Sequence, residues 1–365
     1  MKITAPTAAL QEAFQILGAI VPSRPTRPIL ANVLANTADG NLELLATDRE
    51  VSIRFRVAGV TIDEEGQAAV PHNRVNSILH ETRDETVVIT AADGHCQIVS
   101  SDSEFKLPTE SADDFPEIPA FDDSNAYEFD RGDFVEMVSK TTFAAHKGKH
   151  RYALNGVLLV VEPKKVQMVA TDGRRLALIE RKARDTSKAE ASVIVPTKAL
   201  EQIIRVLTDE EEVIRFNIGE NQIVAQTQRA TVSALLVEGH FPPYDTVIPK
   251  DCDKKVDVSR EGLHSAVRRA ALVTSEESSS VFLRMGSDKI TVSSAAPETG
   301  EAKVELAVEY KDTEVEIGFG PEFLTDFLRV VSDETVRMEF RDGNSAGLFR
   351  AGRDFLYVVM PVSRE

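Results

Sequence analysis

The amino-acid sequence predicts an α+β protein of three similar domains, each with two helices and about eight mainly antiparallel strands. Three observations predict this fold class. The tripeptide Ala-Thr-Asp ends an aliphatic strand at 46–48 and again at 170–172, 124 residues later. A strand that leads into an amphipathic helix recurs along the chain. Short strands rich in Val, Ile and Leu follow each helix, as expected of a repeat architecture.

Two kinds of strand–helix segment make up the repeat. In the first kind, a strand is followed by Pro at the first helical position and an amphipathic helix. Its copies are residues 66–79, 191–204 and 315–328. In the second kind, a strand runs into a helix whose N-cap we expect near Thr7, Arg131–Asp133 or Ser259. Its copies are residues 1–17, 127–143 and 254–270.

Turn and joint signals divide the chain further. Asp, Asn and Gly predict hairpin turns at 91–94, 217–221 and 340–344. Polar stretches rich in Pro and Asp, at 119–126 and 248–256, predict joints between copies. The predicted domains are residues 1–121 (N-terminal), 126–250 (central) and 254–365 (C-terminal).

The composition is typical of a globular protein of the cytosol. The 365 residues are 42% hydrophobic and 28% charged, enough apolar content for a substantial core. No run of about 18 apolar residues exists, which excludes a helical membrane span, and the N-terminus lacks the apolar region of a signal peptide. Cys96 and Cys252 form neither a disulfide framework nor a metal-binding spacing. We therefore expect a reducing, cytoplasmic location.

Catalytic motifs are missing from the sequence. It has no dinucleotide-binding loop, phosphate-binding loop, zinc-protease motif or nucleophile elbow, and its seven histidines are scattered. Asp172 resembles a catalytic residue, but Asp48 occupies the same place in the other copy. We therefore expect both aspartates to hold turns through their side chains. An enzyme that uses Asp172 is the weakest hypothesis, and no cofactor or metal is expected.

Positive charge is segregated on this acidic chain. The net charge is −17, which by itself argues against binding a nucleic acid. The six predicted helices nevertheless sum to +2, which leaves −19 for the rest of the chain. Basic loops at 22–30 and 145–156 add to this pattern. Gathered Lys and Arg side chains without base-reading elements predict binding to a polyanion regardless of its sequence.

Six stretches carry a resemblance to a known family. They are RPTRPILANVL, RYALNGVLL, ATDGRRLAL, VIVPTKALEQII, GHFPPYDTVIP and the near-terminal YVVMPV. In this order they resemble the bacterial DNA sliding clamp, the beta subunit of DNA polymerase III, over the whole chain. The resemblance implies a non-catalytic processivity factor: a head-to-tail homodimeric ring that encircles duplex DNA. The implied partners are the replicative polymerase, the clamp loader, and other polymerases and repair proteins that carry clamp-binding peptides.

The resemblance also implies three sets of site residues. The DNA-binding set is Arg24, Arg74, His146, Lys149, Arg151, Tyr152 and Lys198. The set for a hydrophobic groove that binds partner peptides is Leu154, Thr171, Gly173, Arg174, Arg175, Leu176, Pro242, Val247, Val358, Met360, Pro361 and Val362. The dimer-interface set is Phe105 and Leu107 on one face, and Leu272 and Val273 on the other.

This sequence departs from the family pattern at its end. The family commonly ends soon after Met-Pro with an apolar residue, an arginine and Leu, whereas here Met360-Pro361 is followed by Val362, Ser363, Arg364 and Glu365. Ser363 and Glu365 are expected to make the rim of the groove more polar. A second hypothesis, of another class, is a repeat-built scaffold that binds peptides and never contacts DNA.

Overall fold

The computed structural model describes residues 1–148, 152–184, 190–208, 212–275 and 279–362, without the side chains of Asn125 and Tyr152. The predicted site residues Lys149 and Arg151 and the terminal residues Ser363, Arg364 and Glu365 lie outside the described residues. Two compact units make up the chain. Unit 1 comprises Met1–Arg131 and Lys198–Leu236, and unit 2 comprises Gly132–Thr197 and Val237–Glu365. The middle third of the chain is therefore shared between both units.

The described residues form six α-helices and 25 strands. The first third contains β1 Lys2–Pro6, α1 Thr7–Gly18, β2 Asn32–Ala38, β3 Asn41–Thr47, β4 Val51–Val57, β5 Thr61–Glu64, β6 Gly66–Pro71, α2 His72–Glu81, β7 Thr86–Ala92, β8 His95–Val99 and β9 Glu104–Pro108. The middle third contains β10 Tyr127–Asp130, α3 Arg131–Ser139, β11 Gly156–Val161, β12 Lys165–Thr171, β13 Arg175–Lys182, β14 Ala191–Pro196, α4 Thr197–Val206, β15 Val213–Ile218, β16 Gln222–Gln226 and β17 Ala230–Leu235. The last third contains β18 Lys254–Ser259, α5 Arg260–Ala270, β19 Val281–Gly286, β20 Lys289–Ala296, β21 Gly300–Ala307, β22 Val315–Phe319, α6 Pro321–Val330, β23 Thr335–Phe340, β24 Gly347–Ala351 and β25 Phe355–Val359.

The order of these elements confirms the predicted repeat. Over the described residues, each third reads strand, helix, three strands, strand, helix, three strands, and the first third has β5 in addition. The α+β class and the two helices in each copy are therefore those that the sequence predicts.

The strands of the described residues pair antiparallel in four sheets. Unit 1 has a five-stranded sheet of order β5-β1-β7-β8-β9 and an eight-stranded sheet of order β10-β15-β16-β17-β4-β3-β2-β6. Unit 2 has an eight-stranded sheet of order β14-β11-β12-β13-β25-β24-β23-β18 and a four-stranded sheet of order β21-β20-β19-β22. Each eight-stranded sheet joins strands from two different thirds of the chain, through β17–β4 in unit 1 and β13–β25 in unit 2.

Two details of the helix starts differ from the prediction. Pro occupies the first helical position only in α6, as Pro321, whereas Pro71 and Pro196 end the strands that precede α2 and α4. Ser259 caps α5 as predicted, since its hydroxyl oxygen accepts a hydrogen bond from the backbone N–H of Gly262 at 3.2 Å. Thr7 does not cap α1; it is the first helical residue, and its hydroxyl donates to the carbonyl oxygen of Asp84 at 2.6 Å.

The predicted turns show one further difference. A tight hairpin joins β7 to β8, with Asp93 and Gly94 both at positive φ, and another joins β15 to β16. The stretch 340–344 instead belongs to a longer loop between β23 and β24, in which the Asp342 carboxylate accepts hydrogen bonds from the backbone N–H groups of Asn344 and Ser345. The N–H of Asn344, followed by the Ser345 hydroxyl and the Arg341 guanidinium, holds the pKa of Asp342 down, at about 2.

A core of aromatic side chains lies under the central strands of unit 2. Phe327 of α6 stacks on Tyr357 of β25, with ring centroids 5.0 Å apart. Phe349 packs against both rings, and all three side chains are fully buried. This packing fixes α6 against the sheet that carries the site described below. Among the helices of the described residues, none is long and apolar enough to cross a membrane.

Candidate functional site

The two Ala-Thr-Asp turns have the same hydrogen bonds. In unit 1, the hydroxyl oxygen of Thr47 accepts from the N–H of Arg49 at 2.9 Å. Oδ1 of Asp48 accepts from the N–H groups of Glu50 and Val51 at 2.9 and 2.7 Å. Each bond spans two or three residues, as in other Asx turns. These contacts confirm the structural role predicted for Asp48.

The second turn repeats this pattern in unit 2. The hydroxyl oxygen of Thr171 accepts from the N–H of Gly173 at 3.1 Å, and Oδ1 of Asp172 accepts from those of Arg174 and Arg175 at 2.9 and 3.0 Å. The residue after each aspartate adopts positive φ: 80° for Arg49 and 89° for Gly173. Asp172 is therefore a turn residue too, but its turn also forms part of a groove.

An apolar groove of about 280 Å³ lies beside the second turn in unit 2. It is lined by ten of the twelve residues predicted for it: Leu154, Thr171, Gly173, Arg174, Arg175, Leu176, Pro242, Val247, Val358 and Met360. Pro243 and Tyr244, which the sequence analysis did not select, complete the lining. The remaining two predicted residues, Pro361 and Val362, do not line it. Val362 instead donates its N–H to the carbonyl oxygen of Gly318 on β22 at 2.9 Å.

Two adjacent strands hold one wall of the groove. Leu176 of β13 lies opposite Val358 of β25 in the antiparallel register. One residue beyond β25, Met360 donates its N–H to the carbonyl oxygen of Arg174 at 2.8 Å. The ends of both strands are therefore fastened together, and the side chains of Leu176, Val358 and Met360 share one surface.

A proline-rich segment forms the opposite wall. Val237 anchors the start of this segment by donating its N–H to the carbonyl oxygen of Ile194 on β14 at 2.9 Å. The rings of Phe241 and Tyr244 meet edge to face, with centroids 6.3 Å apart. Val247, at the end of this wall, leaves 51% of its surface exposed, and Met360 across the groove leaves 49%.

The chemistry of the groove is that of a binding surface. Large apolar side chains that stay exposed beside one another mark sites for apolar ligand groups. Met adds an adaptable side chain that accommodates ligands of different shape. Burial, followed by the nearby charges of Asp245, Glu162 and Glu180, raises the pKa of Tyr244, so its phenol stays protonated and can donate a hydrogen bond at the rim. Within the described residues, no group of three or more His, Cys, Asp or Glu side chains could hold a metal ion.

The predicted DNA-binding residues divide between the two units. In unit 1, Arg24 and Arg74 are exposed. Lys198, at the start of α4, donates to Oδ2 of Asp48, so its charge already faces a carboxylate. In unit 2, the backbone N–H of His146 donates to the carbonyl oxygen of Leu154 at 2.9 Å. Tyr152 begins a short 3-10 helix next to the groove residue Leu154.

The predicted interface residues lie on exposed elements. Phe105 and Leu107 belong to β9, the edge strand of the five-stranded sheet, and Phe105 is 37% exposed. Leu272 and Val273 follow α5 in the 3-10 helix Ala271–Val273, where Leu272 is 80% exposed.

A cluster of cations on α5 and α6 was not selected as a site from the sequence. His264 lies near Arg268, Arg260 and Arg329, and burial together with these three charges lowers its pKa. The signal for this cluster was the +2 charge of the predicted helix at 259–271, but no motif singled out its members.

Comparisons with known proteins agree on one family. Three family models match consecutive parts of the chain: the N-terminal, central and C-terminal domains of the DNA polymerase III beta subunit, at residues 1–119, 128–243 and 245–363. The beta sliding clamp of Pseudomonas putida is 33% identical over 365 residues, which cover 99% of this chain and 100% of that protein. The beta sliding clamp of Escherichia coli K12 is 32% identical with the same coverage.

Solved structures give the same result. The sliding clamp of Pseudomonas aeruginosa bound to griselimycin superposes with a TM-score of 0.94 at 32% identity, and that of Bacillus subtilis with a TM-score of 0.96 at 25% identity. Both comparisons cover 100% of either chain. With its repeated fold, its apolar groove and these full-length matches, the chain belongs to the DNA polymerase III beta subunits, the bacterial beta sliding clamps.

Proposed function

We propose that the protein is the processivity factor of a bacterial replicative DNA polymerase and acts in the cytoplasm as a closed homodimeric ring. The ring encircles duplex DNA without sequence specificity and tethers the polymerase, so that processivity comes from topological linkage. The protein is an accessory subunit and not an enzyme. The predicted domains 1–121, 126–250 and 254–365 supply the three repeats of each subunit.

The groove of unit 2 is the observation that carries this proposal. It combines an apolar surface, a methionine and a rigid turn in one place, which suits short peptides with apolar side chains. We assign it to peptides of the polymerase catalytic subunit, the clamp loader, and other polymerases and repair proteins. The Pseudomonas aeruginosa clamp, a relative with the same fold, has been solved with griselimycin bound. Griselimycin is therefore a direct probe of this groove.

Weak contacts with phosphate complete the function. Arg24, Arg74 and Lys198 in unit 1 and the predicted loop 146–152 in unit 2 supply the cations. Because phosphate contacts carry no sequence information, a ring that uses them binds any duplex and can slide along it. Negative charge over the rest of the chain keeps DNA from adhering elsewhere.

Ring closure needs two exposed faces of the same subunit. Strand β9 is a free edge of its sheet and carries the exposed Phe105, a kind of edge that soluble proteins cover or pair. Leu272 offers an apolar side chain of similar size on the other unit, near the edge strand β21. A head-to-tail contact between these faces is heterologous, and two copies close the ring.

Replication of a primed circular template tests the proposal. Neutralising Arg24, Lys149, Arg151 and Lys198 together should shorten the products that the polymerase makes, while griselimycin binding stays unchanged. A peptide-binding scaffold that never contacts DNA predicts unchanged synthesis instead, and that outcome would reject the clamp function. Light scattering over a dilution series supplies the companion measurement, because the 40.1 kDa subunit should appear at about twice its mass.

A further inference from the structure

Arg175 lines the groove, yet its side chain is largely buried. It is only 8% exposed, although Arg174 beside it is exposed. Its Nε donates to Oδ2 of Asp172 at 2.9 Å, and its Nη2 donates to the carbonyl oxygen of Phe143 at 2.8 Å. Two of the guanidinium nitrogens are therefore engaged by groups of the protein itself.

Aromatic rings enclose the same guanidinium. Its central carbon lies 4.8 Å from the ring centroid of Phe323 and 5.6 Å from that of Phe143. Below it, the hydroxyl of Tyr357 donates to the carbonyl oxygen of Phe323 at 2.9 Å. A charge held in such surroundings is costly unless carboxylates neutralise it at close range.

A second carboxylate, from outside the groove, also pairs with the Arg175 guanidinium. Oδ2 of Asp326, on α6, accepts a hydrogen bond from Nη1 of Arg175 at 2.8 Å. Its Oδ1 faces Arg329, one turn further along the helix, at 3.3 Å, and that arginine is 69% exposed. Asp326 thus ties the first residue of β13 to a helix in the aromatic core.

We propose that Asp326 is a positioning residue for the groove. It neutralises Arg175 and so holds the turn Thr171–Arg175 in the form that binds a ligand. This inference rests on the proposed function of the groove. The turn supplies Thr171, Gly173 and Arg174 to the groove wall. Without the Asp326 carboxylate, Asp172 is the one charged partner left to the buried guanidinium of Arg175. The guanidinium can then move toward water and displace the turn that carries Asp172 and Arg175.

A purely structural role makes a different prediction, and strand β13 offers a matched control. Arg181, six residues further along the same strand, is 17% exposed and donates to Oδ1 of Asp133 at 3.1 Å. Its Nη2 also donates to Oε2 of Glu136. Asp326→Asn and Glu136→Gln therefore each remove one carboxylate charge from a largely buried arginine of β13, but only the first arginine lies at the groove. Arg181 keeps Asp133 and Asp354 as partners, and Glu136→Gln also removes the partner of the buried Lys140. Arg329→Gln serves as a second control, because it removes only the exposed partner of Asp326.

The experiment measures griselimycin affinity and thermal unfolding for the full-length wild type and these three variants. We expect Asp326→Asn to weaken binding by about tenfold or more, mainly through faster dissociation. Glu136→Gln should lower the unfolding midpoint and leave binding within about twofold of wild type. Arg329→Gln should also bind within about twofold of wild type. Equal losses of affinity in Asp326→Asn and Glu136→Gln, or an unchanged affinity in Asp326→Asn, would overturn the proposal.

Amide hydrogen exchange separates this inference from the proposed function. In the ligand-free protein, Asp326→Asn should speed exchange at Gly173, Arg174 and Arg175, whose N–H groups bond within the turn, and Glu136→Gln should not. If the wild type fails to bind griselimycin, the assignment of the groove to this ligand is wrong, and the exchange result still decides the role of Asp326. Unchanged exchange at the turn in Asp326→Asn would reject it.

Discussion

Replacing Asp48 by Asn should strengthen the affinity of the protein for duplex DNA. Oδ1 of Asp48 accepts two backbone N–H groups of its own turn, and Oδ2 accepts Nζ of Lys198. In the Asn side chain, an oxygen remains at the position of Oδ1, and the negative charge at the position of Oδ2 is lost. The variant should therefore preserve the turn and release Lys198 for contact with phosphate.

The size of the effect follows from the exposure of the pair. The Lys198 side chain is 41% exposed and that of Asp48 is 14% exposed, which places the pair at the boundary with solvent. An ion pair of this exposure has an interaction free energy of up to about 1 kcal/mol, and this free energy is lost when the Lys198 ammonium leaves Asp48 for a phosphate. Affinity should therefore rise by up to about fivefold. If Lys198 adds one phosphate contact, the plot of log affinity against log salt should steepen by about 0.9.

Fluorescence anisotropy with a labelled duplex, measured between roughly 50 and 200 mM salt, is the assay. Asp63→Asn is the matched control, because it removes the same charge from unit 1 beside Lys2, whose Nζ lies 3.7 Å from the carboxylate. Equal gains in the two variants would mean that net charge alone is responsible. A higher affinity that persists when Asp48→Asn is combined with Lys198→Ala would exclude Lys198 as the cause of the gain.

Four further outcomes can be checked separately. Leu272→Asp places a charge on a side chain that is 80% exposed, and light scattering should then report the 40.1 kDa subunit in place of a dimer. Met360→Ala removes apolar surface from the groove and should cost about 1–2 kcal/mol of griselimycin binding by calorimetry, whereas an unchanged affinity would place the ligand elsewhere. Burial raises the pKa of the Cys96 thiol to about 11, so a thiol reagent at pH 8 should modify Cys252 first and Cys96 only after denaturation. Gly173→Ala should lower the free energy of unfolding in urea by about 1 kcal/mol, because φ is 89° there; equal stability would mean that the turn relaxes.

Local contacts are the part of the site that the sequence predicts well. The Asx bonds of Asp48 and Asp172 reach two or three residues along the chain, so they can be inferred from the tripeptide and its repetition. Helices and strands follow in the same way, because their periodicity lies within a single segment. The helix starts at Pro71 and Pro196 were displaced by one residue, since proline also fits the end of an extended strand.

Long-range charge pairs are the part that the sequence does not predict. Lys198 and Asp48 are 150 residues apart, and Arg175 and Asp326 are 151 residues apart. The family resemblance assigned Lys198 to the DNA-binding set and Arg175 to the groove without indicating a carboxylate partner for either. The fold brings a distant carboxylate to each of these cations, and no signal within a single segment points to that partner.

The repeat also explains why the groove forms where it does. In unit 1, Phe115 and Ile118 of the segment after β9 are buried against Leu34 and Leu45. The repeat register places Phe241 and Tyr244 at the corresponding positions of unit 2, over Leu158 and Val169, where both rings are only partly buried.

Isoleucine has no polar atom and can enter the apolar cluster, whereas the phenol of a tyrosine requires a hydrogen-bond partner or water. Tyr244 stands against Phe241 and lines the open groove of unit 2, whereas Ile118 is buried in unit 1. Two copies of one architecture thus differ at this surface, and one difference between their connecting segments is the side chain that follows the shared Phe-Pro pair by two residues.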